Sequence, residues 1–284
     1  MRVQRLHHHF AAQVTEIDLA APIDAEIVTA IQAAIDENAV LIFRNQQAMT
    51  DDAQIAFSAH FGTLQKSITV HREDTQRRLK RPELSDISNV DAQGRRLAET
   101  DRKRLLQRPA QLWHTDSSFR DPPGRYTFLA ARILPRTGGD TEFADMRAAY
   151  DVLDEATQAR IADLTVHHAL GRSRELAGAP PLSPEEADNL PGAIQPLVRT
   201  DSSGRKSLYL ASHASHVVGW PRPEGEALLQ QLTQFATQPR FIYRHQWRDG
   251  DLAMWDNRVT MHRATPFATV EERRDMRRTT VADC

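Results

Sequence analysis

The sequence predicts a mixed α/β fold with a double-stranded β-helix (jelly-roll) core that is decorated by helices. Short strand signals punctuated by Gly and Pro dominate the chain from Arg125 onward, and helical patterns concentrate at the front of the chain and in insertions between strands. The length of 284 residues suits one large domain, so we expect a single domain over residues 1–284. Hydrophobic residues, at 40%, are too frequent for a disordered chain.

Two helices flanking a strand are predicted near the N-terminus. Ile27, Ile31 and Ile35 recur at helical spacing behind a start signal at Asp24, and an apolar run follows them. The predicted elements are a helix over residues 24–37, a strand over 39–43 and a helix over 50–62. Residues 63–112 alternate short apolar pieces with charge-rich stretches, which favours a mobile loop or a surface helix that closes over a substrate.

Strands with interspersed helices are predicted for the rest of the chain. The strands are expected at residues 125–134, 140–145, 206–211, 240–247 and 251–256, and the helices at 146–153, 155–164 and 223–237. The Asp249-Gly250 turn between the last two of these strands predicts a β-hairpin. Five prolines between residues 177 and 196 predict a long loop.

Composition excludes several classes of partner and site. With 36 Lys and Arg against 38 Asp and Glu, the net charge of -2 provides no positive field for nucleic acid or an acidic membrane surface. The single cysteine, Cys284, allows neither an internal disulfide nor a cysteine-based zinc or iron–sulfur site in one chain. No signal peptide and no run of about 18 apolar residues is recognisable, so we expect a cytoplasmic protein. The balanced charge makes a small molecule the expected partner. A homo-oligomer is compatible with the sequence.

One short motif has the spacing of a metal site. In LWHTDSSF, His114 and Asp116 are separated by one residue, so on an extended strand both side chains point to the same face and can bind one ion. His262, at the end of a distant apolar strand, can supply a third ligand. Two imidazoles and one carboxylate form the facial triad of oxygen-activating non-haem Fe(II) enzymes. His114 and Asp116 alone could equally be ordinary surface or core residues. The full set of three residues could also bind zinc.

Two arginines near the C-terminus extend this interpretation. Arg274 and Arg278 are four residues apart, so on an extended strand they share a face and can project into the barrel. A planar guanidinium suits bidentate binding of carboxylates, and two inward arginines therefore indicate two acidic ligands near the metal. A solvated basic strand is the alternative.

Five ordered motifs carry a resemblance to a known family. They are WHTD at 113–116, GGDTEFADMRAAYD at 138–151, HASHV at 213–217, GDLAMWDNRVTMHR at 250–263 and RRDMRRTT at 273–280. With these motifs the chain resembles the taurine dioxygenase (TauD/TfdA) family of Fe(II)/2-oxoglutarate-dependent oxygenases. AVLIFR at 39–44, DISNV at 86–90 and PLVRT at 196–200 make it most similar to the 2,4-dichlorophenoxyacetate dioxygenase branch.

The resemblance implies roles for individual residues. The iron ligands would be His114, Asp116 and His262. Thr141 and Arg274 match the residues that bind 2-oxoglutarate, and Trp255 would pack beside that cofactor. Arg278 matches the arginine that binds the acidic group of the substrate. His213, His216 and His71 are further candidates for substrate contact.

The implied function is oxygenation of a small carboxylate-bearing substrate, with Fe(II) and 2-oxoglutarate as cofactors and O2 as co-substrate. An aryloxyalkanoate ether would be cleaved to a phenol and an oxoacid, with release of succinate and CO2. The same chemistry on an alkyl sulfate or sulfonate is the alternative, because an arginine at position 278 binds either anion. Ala110 stands where taurine enzymes have an asparagine, which argues against taurine itself. A zinc hydrolase or a non-catalytic metal-binding barrel would have no need of the threonine and the two arginines.

Overall fold

The computed structural model of the chain describes residues 1–71, 77–268 and 271–283, apart from the side chain of His71. Its α-helices are α1 Ala25–Asn38, α2 Asp51–Ala59, α3 Arg102–Gln107, α4 Met146–Asp151, α5 Glu155–Ile161, α6 Leu170–Leu176, α7 Pro184–Asn189 and α8 Arg222–Ala236. Short 3-10 helices lie at Ile68–His71, Arg108–Gln111 and Pro239–Phe241. In the described part of the chain, no helix combines the length and the apolar character needed to span a bilayer.

The strands are listed in chain order. They are β1 Arg2–Arg5, β2 Ala12–Thr15, β3 Val40–Phe43, β4 Ser85–Ser88, β5 Gly124–Ile133, β6 Thr141–Asp145, β7 Thr165–His168, β8 Ala193–Pro196, β9 Val198–Thr200, β10 Lys206–Leu208, β11 Ala214–Val217, β12 Ile242–His245, β13 Leu252–Asp256, β14 Thr260–Ala264 and β15 Asp275–Ala282. A seven-stranded sheet has the order β1-β2-β3-β13-β5-β15-β4, and a three-stranded sheet has the order β12-β6-β14. The predicted jelly-roll core with attached helices is confirmed.

Side chains alternate between the two faces of these sheets and so build three apolar layers. Trp255 of β13 and Phe143 of β6 meet between the sheets, with ring centroids 5.4 Å apart. Met254 points the other way and packs with α1 and α2, while Ala144 packs with α4 and α8. This period of two fixes which residues face the interior between the sheets.

Helix α1 illustrates how local sequence and packing agree. Asp24 caps its N-terminus by accepting a hydrogen bond from the backbone N–H of Ile27 at 2.8 Å. Ile31 and Ile35 are fully buried against the large sheet, and each contributes about 1.5–3 kcal/mol by leaving water. The helix ends at Asn38, and the following residue, Ala39, has a φ of 59° that turns the chain into β3. The predicted helix over 24–37 is therefore confirmed within one residue at each end.

The predicted hairpin at Asp249-Gly250 is wrong. Strand β12 pairs with β6 in the three-stranded sheet, whereas β13 pairs with β3 and β5 in the large sheet. The turn signal is genuine, since Gly250 has a φ of 76°, but it lies where the chain crosses from one sheet to the other. A jelly roll alternates between its sheets, so consecutive strands need not be partners.

The predicted loop at 177–196 is also wrong in part. It contains α7, which begins with a capping box between Ser183 and Glu186, and strand β8, which joins β7 and β11 in a sheet. Arg174 of α6 donates to Glu186 at 2.8 Å, and both side chains are buried. This ion pair fastens α6 to α7, so the proline-rich stretch is an ordered insertion.

Residues 77–107 lie at one edge of the large sheet, to which they contribute strand β4. Arg78 donates to Asp86 and to Asp275, in each case at 2.7 Å, and Lys103 of α3 donates to Asp86 at 2.8 Å. The charges of this stretch are therefore largely paired with one another and with β15. Helix α3 corresponds to the predicted surface helix, and closure of the segment over a substrate stays a prediction.

Candidate active site

His114, Asp116 and His262 converge on one point between the two sheets. Each offers one ligand atom, and these atoms lie within 4.8 Å of one another. Nε2 of His114 is 3.8 Å from Asp116 Oδ1, and Nε2 of His262 is 3.6 Å from Asp116 Oδ2. All three side chains are buried. Two imidazoles and one carboxylate on one side of an ion leave its remaining positions open, which fits Fe(II).

The main chain holds the two histidines together. The backbone N–H of His114 donates to the carbonyl of His262 at 3.0 Å, and the N–H of His262 donates to the carbonyl of His114 at 2.8 Å. His262 is the central residue of β14, but His114 forms only this single backbone pair and lies in no strand. The chain turns after Asp116, where Ser117 has a φ of 57°. The extended strand predicted for His114 and Asp116 is thus wrong, although their side chains do converge.

Protonation states suit metal binding. Nδ1 of His114 lies 2.8 Å from the carbonyl oxygen of Leu112, which can only accept, so Nδ1 carries the proton and Nε2 is free to ligate. Burial lowers the pKa of His114 and lowers the pKa of His262 well below its usual range, which keeps both neutral. Burial opposes ionisation of Asp116, but the neighbouring cation of Arg278 outweighs it and brings the pKa of Asp116 to about 2.

Two polar residues that the sequence did not single out hold Asp116. Thr127 donates to Asp116 Oδ2 at 3.0 Å, and Nδ2 of Asn257 donates to Thr127 Oγ1 at 2.9 Å. Oδ1 of the same asparagine accepts from the backbone N–H of Asp116 at 3.1 Å. Asn257 is fully buried, so these bonds are shielded from water. Its place in the MWDN motif, directly after Trp255 and Asp256, is the signal that could have identified it.

Trp255 lies against the metal ligands. Its ring centroid is 4.6 Å from that of His262, and its indole N–H donates to Asn257 Oδ1 at 3.1 Å. The indole nitrogen is thereby committed to the protein, and the ring supplies an apolar wall.

Arg278 reaches the same carboxylate from β15. Its Nη1 donates to Asp116 Oδ1 at 2.5 Å, and the arginine side chain is 22% exposed while that of Asp116 is 4% exposed. The guanidinium also borders the open space in front of the triad. An anionic group that binds Arg278 therefore lies next to the metal site.

Arg274 has the properties of a carboxylate receptor. It is buried, and among the described residues no partner accepts from its Nε. Burial lowers the pKa of Arg274 to about 10, with only Asp140 acting in the opposite sense. Gly139, at a φ of 70°, lies so close that a Cβ there would be 3.3 Å from Nε of Arg274. A buried, incompletely paired guanidinium fits the distal carboxylate of 2-oxoglutarate.

Thr141 lies on the same sheet face as the metal ligand His262. Strand β6 pairs Phe143 with His262 and Thr141 with Ala264, and residues two apart on a strand share a face. Thr141 is buried. It lies two residues after Gly139, which is next to the Arg274 side chain. Thr141 and Arg274 thus border the interior beside the triad from opposite sheets.

A cavity of about 480 Å³ opens in front of the triad. This volume lies within the range of roughly 300–1,000 Å³ that small-molecule sites occupy. The cavity is reached by His114, Asp116 and Arg278. Its apolar lining includes Leu79, Leu84, Ile87, Leu106, Phe119 and Leu170. Charged residues, among them Arg78, Asp86 and Lys103, line another part of it. An anion-binding end next to the metal site and a largely apolar lining suit a small amphipathic acid.

The three remaining histidine candidates are separated by the fold. His213 lines the cavity, is buried, and packs edge-on against Phe119 with ring centroids 4.8 Å apart. His216 does not line it; its Nδ1 lies 2.9 Å from Ser215 Oγ, and its ring centroid is 5.3 Å from that of His167. The structure therefore does not bring His216 to the site. The side chain of His71 lies outside the described residues.

Comparisons with known proteins agree with this geometry. The model of the family described as "Taurine catabolism dioxygenase TauD, TfdA family" matches residues 2–280. The chain is 44% identical over 281 residues to an alpha-ketoglutarate-dependent 2,4-dichlorophenoxyacetate dioxygenase of Cupriavidus pinatubonensis, covering 98% of this chain and 96% of the relative. It is 36% identical over 276 residues to an (S)-phenoxypropionate/alpha-ketoglutarate-dioxygenase of Sphingobium herbicidovorans, covering 93% and 89%.

A solved structure is similar over nearly the whole chain. The crystal structure of AAD-2 in complex with Mn(II) and N-oxalylglycine superposes with a TM-score of 0.90 and 43% sequence identity. The similarity covers 99% of this chain and 97% of that one. The fold that positions the triad is therefore shared with a protein that holds a divalent metal and a dicarboxylate.

Proposed function

The chain belongs to the TauD/TfdA family of dioxygenases, and from this membership we propose that it cleaves the ether bond of an aryloxyalkanoate. It is an Fe(II)- and 2-oxoglutarate-dependent dioxygenase. When bound, the metal and 2-oxoglutarate supply activation of O2 for oxidation of a substrate C–H bond, with release of succinate and CO2. The protein binds and orients the reactants and excludes water.

In this proposal the metal is bound by Nε2 of His114, Nε2 of His262 and the carboxylate of Asp116. Both imidazoles are neutral for the reasons given above, so no proton has to leave before the metal binds. Thr127 and Asn257 orient Asp116. Such outer partners typically affect metal affinity by 10–100-fold.

Arg274 and Thr141 would bind 2-oxoglutarate. The distal carboxylate replaces the partner that Nε of Arg274 lacks, and a hydroxyl at position 141 donates one further hydrogen bond. Trp255 and Phe143 wall the interior beside the metal ligands and keep water out.

The observation that carries the substrate assignment is the contact between Arg278 and Asp116. Because Nη1 is 2.5 Å from Oδ1, a substrate carboxylate on Arg278 lies beside the metal site. In an aryloxyacetate the carbon next to that carboxylate is the ether CH2 group. Anchoring the acid at Arg278 therefore presents this carbon, rather than the ring, to the metal.

The reaction balances without a further reactant. Hydroxylation of the carbon between the ether oxygen and the carboxylate gives a hemiacetal, whose C–O bond to the aryl oxygen then breaks. The products are a phenol and glyoxylate, together with succinate and CO2 from 2-oxoglutarate and O2. The aromatic ring would pack on the apolar lining of the cavity, with His213 at its edge.

The test is formation of succinate with Fe(II), 2-oxoglutarate and ascorbate across a panel of acids. The panel comprises phenoxyacetate, both phenoxypropionate enantiomers, cinnamate, an alkyl sulfate and taurine. We expect succinate and phenol in equal amounts from an aryloxyalkanoate, loss of both in Arg278→Ala, and no change in Arg95→Ala, which lies exposed on the surface. If succinate forms only when the alkyl sulfate or taurine is present, the proposed substrate class is wrong, whereas the assigned reaction class still holds.

A further inference from the structure

The hydroxyl of Thr141 has one hydrogen-bond partner among the described residues, the indole of Trp247. Nε1 of Trp247 lies 3.1 Å from Oγ1 of Thr141. Trp247 follows strand β12, whose last residue, His245, is directly opposite Thr141 in the sheet. The indole thus approaches Thr141 from the neighbouring strand.

The chemistry of the pair fixes the direction of this hydrogen bond. An indole N–H can only donate, whereas a threonine hydroxyl has one proton and two acceptor positions. Oγ1 of Thr141 must therefore accept from Trp247, and its own proton points elsewhere. In the described residues nothing accepts that proton, although Thr141 is 3% exposed. A buried donor without an acceptor is expected to face a ligand.

We propose that Trp247 is a positioning residue that orients the Thr141 hydroxyl as a donor to a carboxylate oxygen of 2-oxoglutarate. The inference rests on the proposed binding of that cofactor by Thr141 and Arg274. Without the indole N–H, the hydroxyl is free to rotate and to turn its lone pairs toward the anion. The indole therefore acts through Thr141 and does not itself touch the cofactor.

Packing holds Trp247 in place for this role. The indole meets the His245 ring edge-on, with centroids 4.5 Å apart and an interplanar angle of 75°. His245 is fully buried, and its Nε2 lies 3.1 Å from Oδ2 of Asp251. That carboxylate oxygen accepts a hydrogen bond from Arg44 at 2.6 Å. The indole therefore packs against His245, which in turn lies against the ion pair of Asp251 and Arg44, and these contacts fix the orientation of the indole.

The experiment is a double-mutant cycle on the affinity of Mn(II)-loaded protein for 2-oxoglutarate, measured by calorimetry. The variants are Thr141→Val, which removes the hydroxyl at nearly constant volume, Trp247→Phe, which keeps an aromatic ring but removes the N–H, and their combination. Trp220→Phe is the matched control, because Trp220 packs in the apolar layer of Ala144, α4 and α8, with Arg160 over its ring. Arg274→Ala tests the cofactor site itself.

We expect 2-oxoglutarate to bind about 10-fold more weakly to Thr141→Val and about 5-fold more weakly to Trp247→Phe. The double variant should be no weaker than Thr141→Val, because without the hydroxyl there is nothing to orient. In turnover assays, Trp247→Phe should raise the KM for 2-oxoglutarate and leave kcat at saturation unchanged. The affinity of Trp247→Phe for Mn(II) should be unchanged. Trp220→Phe should bind 2-oxoglutarate as tightly as the parent protein.

Three outcomes would overturn the inference and are distinguishable from failure of the proposed function. If Thr141→Val weakens binding but Trp247→Phe does not, or if their effects multiply in the double variant, Trp247 does not act through Thr141. If Mn(II) affinity falls in step with 2-oxoglutarate affinity, Trp247 has a general structural role. If neither Thr141→Val nor Arg274→Ala weakens binding, the proposed cofactor site is itself wrong.

Discussion

Arg278 and Asp116 form an ion pair in which Nη1 donates to Oδ1 at 2.5 Å. The proposed substrate anchor is therefore bonded directly to a proposed metal ligand. An arginine has five N–H donors in a planar fork. Arg278 can therefore hold Asp116 with one donor and still offer others to an incoming acid. Substrate binding and the metal site are thereby in direct contact.

Replacement of Arg278 by Gln should separate these two roles. We expect the KM for the acidic substrate to rise at least about 30-fold, because an ion pair in a largely buried site is lost. Mn(II) should bind at least as tightly as before, since a competing cation has left Asp116. Titration with Mn(II) and steady-state assays measure the two effects. Weaker Mn(II) binding would mean that the arginine is needed to hold the carboxylate for the metal.

Replacement of Asn257 by Ala should loosen the metal site without removing a ligand. The change deletes the acceptor for the Asp116 backbone N–H and the donor to Thr127. We expect Mn(II) affinity to fall about 10–100-fold. Asn189→Ala, on the exposed end of α7, is the control. Unchanged affinity in Asn257→Ala would show that the backbone pairing of the histidines is sufficient to place Asp116.

The metal triad could be predicted from sequence because its residues lie in motifs that resemble those of a known family. The residues that hold Asp116 in place could not be predicted in this way. Hydrogen bonds such as those of Asn257 depend on two strands meeting, and a single asparagine gives no sign of its partners. The predicted dependence on Fe(II) and 2-oxoglutarate is confirmed by family membership. His216 shows the limit of motif matching, because it follows His213 by three residues yet points away from the cavity.

Replacement of Arg78 by Ala should destabilise the cavity wall. Asp86 and Asp275 would each lose a guanidinium partner, although Lys103 and Arg277 remain to compensate in part. We expect a loss of roughly 2–3 kcal/mol in the free energy of unfolding in urea, together with a higher KM for the substrate. Arg95→Ala, which removes an exposed ion pair with Asp91, should have a much smaller effect. Equal effects of the two variants would contradict the structural role of Arg78.

Stability should fall on mild acidification because of His168. Burial lowers the pKa of His168 from 6.5 to about 3, so between these values the unfolded chain binds the proton and the folded chain does not. The free energy of unfolding therefore decreases below pH 6.5, by up to about 1.4 kcal/mol per pH unit for this one group. In His168→Gln, the free energy of unfolding in urea should depend less on pH between 7.5 and 5 than in the parent protein. His60→Gln, at an exposed position, should leave this dependence unchanged. An unchanged slope in His168→Gln would show that the buried imidazole is not the source.

Helices were predictable where caps and periodicity coincide, as at Asp24 and Ile31 of α1. Strand partners were not, because a turn signal such as Gly250 indicates where the chain bends and not which sheet it joins. Strand β8 was hidden among prolines, and its alternation of buried Ala193 and Gln195 with exposed neighbours is too short to read alone. Long-range pairing decided each of these cases.

The hydrogen bonds that join the main chains of His114 and His262 involve protein atoms only and do not depend on ligation by the imidazoles. Folding alone can therefore bring the two ligands together, before iron binds. A chain whose ligands were collected by the ion would have to be refolded whenever iron was lost. We expect this one to keep its fold without iron, so that iron supply limits its activity without limiting its abundance.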